Sequence, residues 1–183
     1  MFKQLFNSAR RRNRAIADAV YIRIVAAARR PVPYSDWLVP DTPLGRFEMV
    51  GLHIYLFLRR LRGEGEAADA LGQELTDTFF QDVDHSLREL GIGDMGIPKR
   101  MKTLSRMFYG RTKSYDQALD ARDLEALTAA VSRNVRPETA DWPQARQLAA
   151  YVLAASDDLA AQPLDDLLSG EVRFPPAQQG EAR

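Results

Sequence analysis

Apolar residues recur every three to four positions along almost the whole chain, and strand-like alternation is nearly absent, so the pattern predicts an all-α fold. The first helix is expected over Phe2–Arg29, with Asn13 as a candidate break, and Pro31 and Pro33 cannot continue it. A loop carrying Tyr34 and Trp37 follows. Thr42 stands where it can cap a second helix, with Pro43 at the first position, where its missing N–H costs nothing. Phe47, Val50, Ile54, Leu58 and Leu61 form one face of that helix, and Leu52, Leu56 and Phe57 fill the others. Apolar residues on all sides mark a central helix.

After "RGEGEAAD" a third helix is predicted from Ala67 to Leu90, with Leu71, Leu75, Phe79, Val83, Leu87 and Leu90 on one stripe. Gly91 suits the left-handed residue that ends a helix. "GIGDMGIP" makes a tight connection with Asp94 as a candidate cap, and a fourth helix opens near Pro98 and ends around Gly110. Shorter helices are expected at Tyr115–Leu119 and Asp123–Val135, then one capped by Asp141 that holds Trp142 and Pro143 in its first turn. Beyond a turn after Pro163, Val172 and Phe174 are expected to dock as an extended arm. The expected organisation is a basic helical segment over 1–30, one compact multi-helix domain over 34–174 and a frayed tail over 175–183.

Composition narrows the chemistry. At 183 residues, 45% hydrophobic and 27% charged, the chain can bury one sizeable core. It has no cysteine, which excludes disulfides, a thiolate nucleophile and cysteine-bound metal, and its two histidines leave little for a metal site. The longest apolar run, "MVGLHIYLFL", is ten residues, half of the roughly 20 that cross a bilayer.

Net charge is zero but unevenly laid out: residues 1–30 hold eight Lys/Arg against the single acid Asp18, while acids dominate beyond Lys113. Arg10, Arg11, Arg12 and Arg14 are candidates for contact with an anionic membrane or with the ribosome. Neither a recognition fold nor a base-stacking pattern accompanies them, so sequence-specific nucleic-acid binding is not expected.

Chemistry-bearing residues concentrate in "FQDVDHSLRELGIGDMGIPKRMK". Asp82, His85 and Glu89 can share a helical face. With Asp77, Asp84 or Glu48 they could build a carboxylate–histidine metal site, but di-iron bundles repeat a Glu-x-x-His pair on two helices, and no second pair exists here. The plainer reading makes His85 a partly exposed histidine held by Asp82 or Glu89. His53 is then a core histidine with satisfied hydrogen bonds, or one bridged to an acid on the third helix. No phosphate loop, nucleophile or zincin motif supports hydrolysis or phosphoryl transfer, and no cofactor is expected.

The next segment places Ile97, Met101, Leu104 and Phe108 on one side and Lys99, Arg100, Lys102, Arg106, Arg111 and Lys113 on a basic flank. That flank could meet anionic lipid, RNA phosphates or acids of its own fold. Met95, Met101 and Met107 suit a groove that accepts irregular apolar surfaces.

Three blocks in order, "VPDTPLGRFEMVGLHIYLFLRRL", "FFQDVDHSLRELGIGDMGIPKRMKTLSRMFYGR" and "YDQAL" with "RNV", resemble the ubiquinol-cytochrome c chaperone family over about Tyr34–Phe174. The resemblance implies an all-helical, non-enzymatic assembly factor of the cytochrome bc1 complex whose client is newly made cytochrome b. Mitochondrial relatives work with a small partner protein near the ribosomal exit and hold the client until its haems arrive. The motif positions are Asp41, Gly45, Arg46, Phe47 and His53, then Asp82, Asp84, Leu87, Arg88, Glu89, Gly91, Gly93, Asp94, Lys99, Tyr109, Gly110 and Arg111. The short stretch before the motif suggests a bacterial relative, cytoplasmic and peripheral to the inner membrane, for which a small partner need not exist. Arg46, Asp82, Asp84, Arg88, Glu89, Asp94, Lys99, Arg100 and Arg111 are the candidate client-binding residues.

Overall fold

The structure, a computed structural model, describes residues 2–139 and 141–178, with side chains described from Arg11 onward. It contains α1 (Phe2–Ala28), α2 (Val32–Ser35), α3 (Pro43–Leu61), α4 (Glu66–Glu89), α5 (Ile97–Asp120), α6 (Leu124–Val135), α7 (Ala145–Ala161) and α8 (Leu164–Leu168). Among the described residues there is no strand. Of the frayed tail expected at 175–183, residues 179–183 lie outside the described ones.

α3 is the central helix that its all-round apolar pattern predicts. Met49 to Phe57 are buried without interruption, and α3 packs against α1, α4, α6 and α7. Its start follows local chemistry: the Thr42 hydroxyl accepts a hydrogen bond from Gly45 N–H at 3.1 Å, and Pro43 occupies the first turn. Gly45 is required there, since a Cβ would lie 1.9 Å from the Pro40 carbonyl oxygen. The second half of α1 sends Ala17, Val20, Ile24, Ala27 and Ala28 into the same core.

Several expectations are corrected by tertiary packing. α1 passes through Asn13 without a break. The loop after it contains the short helix α2, because the prolines that end α1 fit the first turn of a new helix; Pro33 and Trp37 are buried there. α5 does not stop near Gly110 but continues to Asp120 and absorbs the separate helix expected at Tyr115–Leu119. A helical glycine costs about 1 kcal/mol relative to alanine. Burial of Phe108, Tyr115, Ala118 and Leu119 along that helix outweighs it.

Neither expected aspartate cap forms. Asp94 pairs with Arg88 instead, and Gly96 stands at the N-cap of α5. Asp141 lies before the chain turns inward at Trp142, which is buried and donates from Nε1 to the Trp37 carbonyl at 2.8 Å, so α7 begins only at Ala145. Gly91 does end α4 in the left-handed region, at φ 78°.

The extended arm docks as expected, with Val172 and Phe174 buried. Gln162 holds it like a missing strand, accepting from Arg173 N–H at 3.0 Å and donating to the Arg173 carbonyl at 2.9 Å. Arg30, just past the end of α1, donates to the carbonyls of Phe174, at 3.2 Å, and Pro175. Arg60 of α3 satisfies the carbonyls of Leu159, at 3.0 Å, and Gln162, at 3.3 Å, which close the end of α7.

Candidate functional site

The charged motif occupies the outer side of α4 and the turn into α5. Asp82, His85 and Glu89 lie on one flank as their spacing requires, but they do not converge. Asp82 accepts a hydrogen bond from the Tyr21 hydroxyl of α1 at 2.7 Å. Burial, reinforced by this bond, raises the Tyr21 phenol far above its usual range. His85 Nε2 lies 3.2 Å from Glu89 Oε1, both largely exposed. On the neighbouring flank Arg88 donates to Asp84 at 2.7 Å and to Asp94, and these hydrogen bonds raise the guanidinium's basicity. Among the described residues no group of three or more His, Asp or Glu is placed to hold a metal ion. The carboxylate–histidine alternative therefore lacks its geometry.

The other candidates separate. Arg46 sits at the start of α3, 2.7 Å from Asp41, whose carboxyl it holds below the usual range through their hydrogen bond. Lys99 and Arg100 are exposed at the start of α5, with no ion pair among the described residues. Arg11, Arg12 and Arg14 are exposed on α1, where Arg14 lies 3.5 Å from Gln81 of α4; the side chain of Arg10 lies outside the described residues.

Arg111 turns inward. It forms an ion pair with Glu48 of α3, which the sequence alone offers only as an auxiliary metal ligand. Glu48 is 5% exposed and Arg111 15%. Burial pushes the Glu48 carboxyl up to about 7, against the opposing pull of Arg111. One carboxylate oxygen, Oε1, has no hydrogen-bond partner among the described residues.

Above this pair runs an aromatic ladder that spacing within single helices could not reveal. Phe47 stacks on Phe79 with centroids 5.5 Å apart, and Phe79 meets Phe108 at 5.6 Å. Phe108 meets Tyr109 at 5.1 Å, and Phe80 closes the group against Phe108 at 5.9 Å and Tyr109 at 6.3 Å. The Phe108 ring lies over Gly51, where a Cβ would meet it at 3.4 Å, in van der Waals contact. The ladder crosses from α3 through α4 to α5 and surfaces at Tyr109, 56% exposed, against Phe80 of α4. The only prior signal was the doublets Phe79–Phe80 and Phe108–Tyr109 inside the motif.

His53 is fully buried and satisfied. Its Nδ1–H donates to the Met49 carbonyl at 2.7 Å, which leaves Nε2 to accept from the Tyr151 hydroxyl of α7 at 2.7 Å. Its partner is this tyrosine, not an acid on α4. Burial lowers the ring to about 4, so it is neutral. Among the described residues no helix is long and apolar enough to cross a membrane.

The arrangement offers an exposed aromatic edge at Tyr109, with Asp84 on the Phe80 side of α4. The family model described as ubiquinol-cytochrome C chaperone matches residues 35–174. The chain is 27% identical over 168 residues to ubiquinol-cytochrome-c reductase complex assembly factor 1 of Xenopus laevis, spanning 88% of this chain and 84% of that protein. It is 28% identical over 140 residues to the assembly factor 1 of Mus musculus, spanning 75% of this chain but 47% of that longer protein. The crystal structure of the Cbp3 homolog from Brucella abortus is similar with a TM-score of 0.87 and 53% identity, over 97% of this chain and 98% of that one. With its motif region matched from end to end, the chain belongs to the ubiquinol-cytochrome c chaperone family.

Proposed function

We propose that the protein is a non-enzymatic chaperone that binds newly made cytochrome b and supports assembly of the cytochrome bc1 complex. It acts on the cytoplasmic side of the inner membrane as a peripheral protein. The observation that carries the site is the emergence of the aromatic ladder at exposed Tyr109 and half-buried Phe80, with Asp84 on the same side of α4 as Phe80. Exposed aromatic surface gives affinity for an apolar segment, and the acids along the outer side of α4 select one flanked by basic loops. Arg88 spaces Asp84 and Asp94, while Arg111 supports the surface from beneath through Glu48.

A photo-crosslinking residue in place of Tyr109 or Asp84 should capture cytochrome b during its synthesis, whereas one in place of Glu125 on α6 should not. Absence of capture from both positions, or equal capture from α6, would overturn the proposal.

A further inference from the structure

Lys99, Lys102, Arg106 and Lys113 follow one another along α5 at spacings of three, four and seven, so they share one side of the helix, opposite buried Ile97, Phe108 and Tyr115. All four are exposed, and none has an ion pair or hydrogen-bond partner for its charged group among the described residues. No acid interrupts the helix before Asp116, whose carboxylate is taken by Arg59 and Arg62. The result is an uncompensated basic stripe about 21 Å long.

At the N-terminal end of this stripe, the turn from α4 exposes two large aliphatic side chains, Leu90 at 57% and Met95 at 98%. Water is a poor environment for both, and neither packs into the core. The acids nearest the turn, Glu89 and Asp94, lie against His85 and Arg88, and neither forms an ion pair with a cation of the stripe.

We propose that this stripe and turn form the membrane-docking surface: the cations lie on anionic lipid headgroups, and Met95 and Leu90 enter the boundary between headgroups and acyl chains. The inference rests on the peripheral location proposed above and assigns it to α5. A bilayer is favoured over a nucleic acid by the aliphatic turn, which a phosphate backbone would leave in water; single-stranded nucleic acid is held by aromatic faces along a basic groove. Tyr109, turned toward Phe80, marks where this surface gives way to the client-facing side.

The test is flotation of the full chain with vesicles of phosphatidylcholine alone and of phosphatidylcholine mixed with phosphatidylglycerol. The wild type should float only with the mixed vesicles and release as salt rises. Neutralising Lys99, Lys102 and Arg106 with glutamine should weaken binding by about fivefold per residue, on the order of a hundredfold together, with an unchanged melting temperature. Met95→Trp should show blue-shifted emission with the mixed vesicles, against a background from Trp37 and Trp142 that burial already shields. Equal binding by the glutamine variant overturns this inference alone and passes membrane contact to Arg11, Arg12 and Arg14, which Arg→Gln changes there would register. Failure of the wild type to bind mixed vesicles removes the peripheral location with it. Unshifted Met95→Trp emission, or binding of polyuridylate in place of vesicles, overturns the inference as well.

Discussion

Arg111, in the middle of α5, forms its ion pair with a glutamate of α3, Glu48, that is almost wholly shielded from water. The two helices are thus joined beneath the aromatic ladder by a contact whose strength depends on a proton. Tyr55 and Tyr115 face the same pocket, and Tyr115 is itself pushed up to about 12, chiefly by burial.

The folded protein holds Glu48 protonated up to about pH 7, whereas the unfolded chain releases that proton near 4.5. Between those values the native state binds more protons, so the stabilising contribution is complete below pH 4.5 and disappears as pH rises through 7. Glu48→Gln should therefore gain about 3 kcal/mol on the wild type across that window, measured by urea denaturation at both ends. A constant difference between the two proteins would show that Glu48 stays ionised in the fold.

His53 has the opposite sign. Its folded value near 4 lies below the ordinary 6.5, so its contribution is complete above 6.5 and is lost as pH falls through 4. In the wild type the two trends offset each other over the pH range they share, leaving a flat profile from this pair. The Glu48→Gln protein should instead gain stability by about 3 kcal/mol as pH rises from 4 to 6.5. Tyr151→Phe leaves His53 Nε2 without a donor and should cost about 1–3 kcal/mol at neutral pH, read as a lowered denaturation midpoint.

Three glycines of the motif region should respond differently. Gly45→Ala forces a Cβ against the Pro40 carbonyl and should displace the loop before α3, with a large drop in melting temperature. Gly91→Ala places a side chain at φ 78° and should cost about 1–2 kcal/mol. Gly110→Ala lies mid-helix with open space around the new Cβ and should stabilise α5 by up to about 1 kcal/mol. If Gly110→Ala melts higher yet captures less cytochrome b, the glycine serves the client's approach and not the fold.

These contrasts show what a linear reading can reach. Thr42 and Pro43 set the start of α3, and Gly91 ends α4, because each acts through backbone groups within a few residues of itself. The all-round apolar pattern of α3 likewise fixed its central place. Gly110 misled because its intrinsic cost is small beside the burial of Phe108 and Tyr115 on either side of it. Asp94 and Asp141 look like caps, but competing contacts at Arg88 and Trp142 decide the chain's path. Arg111 and Glu48 lie in separate helices, so nothing in their own segments announces that one cation of the basic flank turns inward.

The extended arm has a temporal consequence. Phe174 meets the imidazole of His53 edge-on, with centroids 4.9 Å apart, so the middle of α3 is sealed by a residue translated long after it. Vectorial synthesis leaves that seam open until residues 172–175 emerge and are clasped by Arg30 and Gln162. A chain ended just upstream of Val172 should lack this cover and leave the middle of α3 wetted and open to proteases.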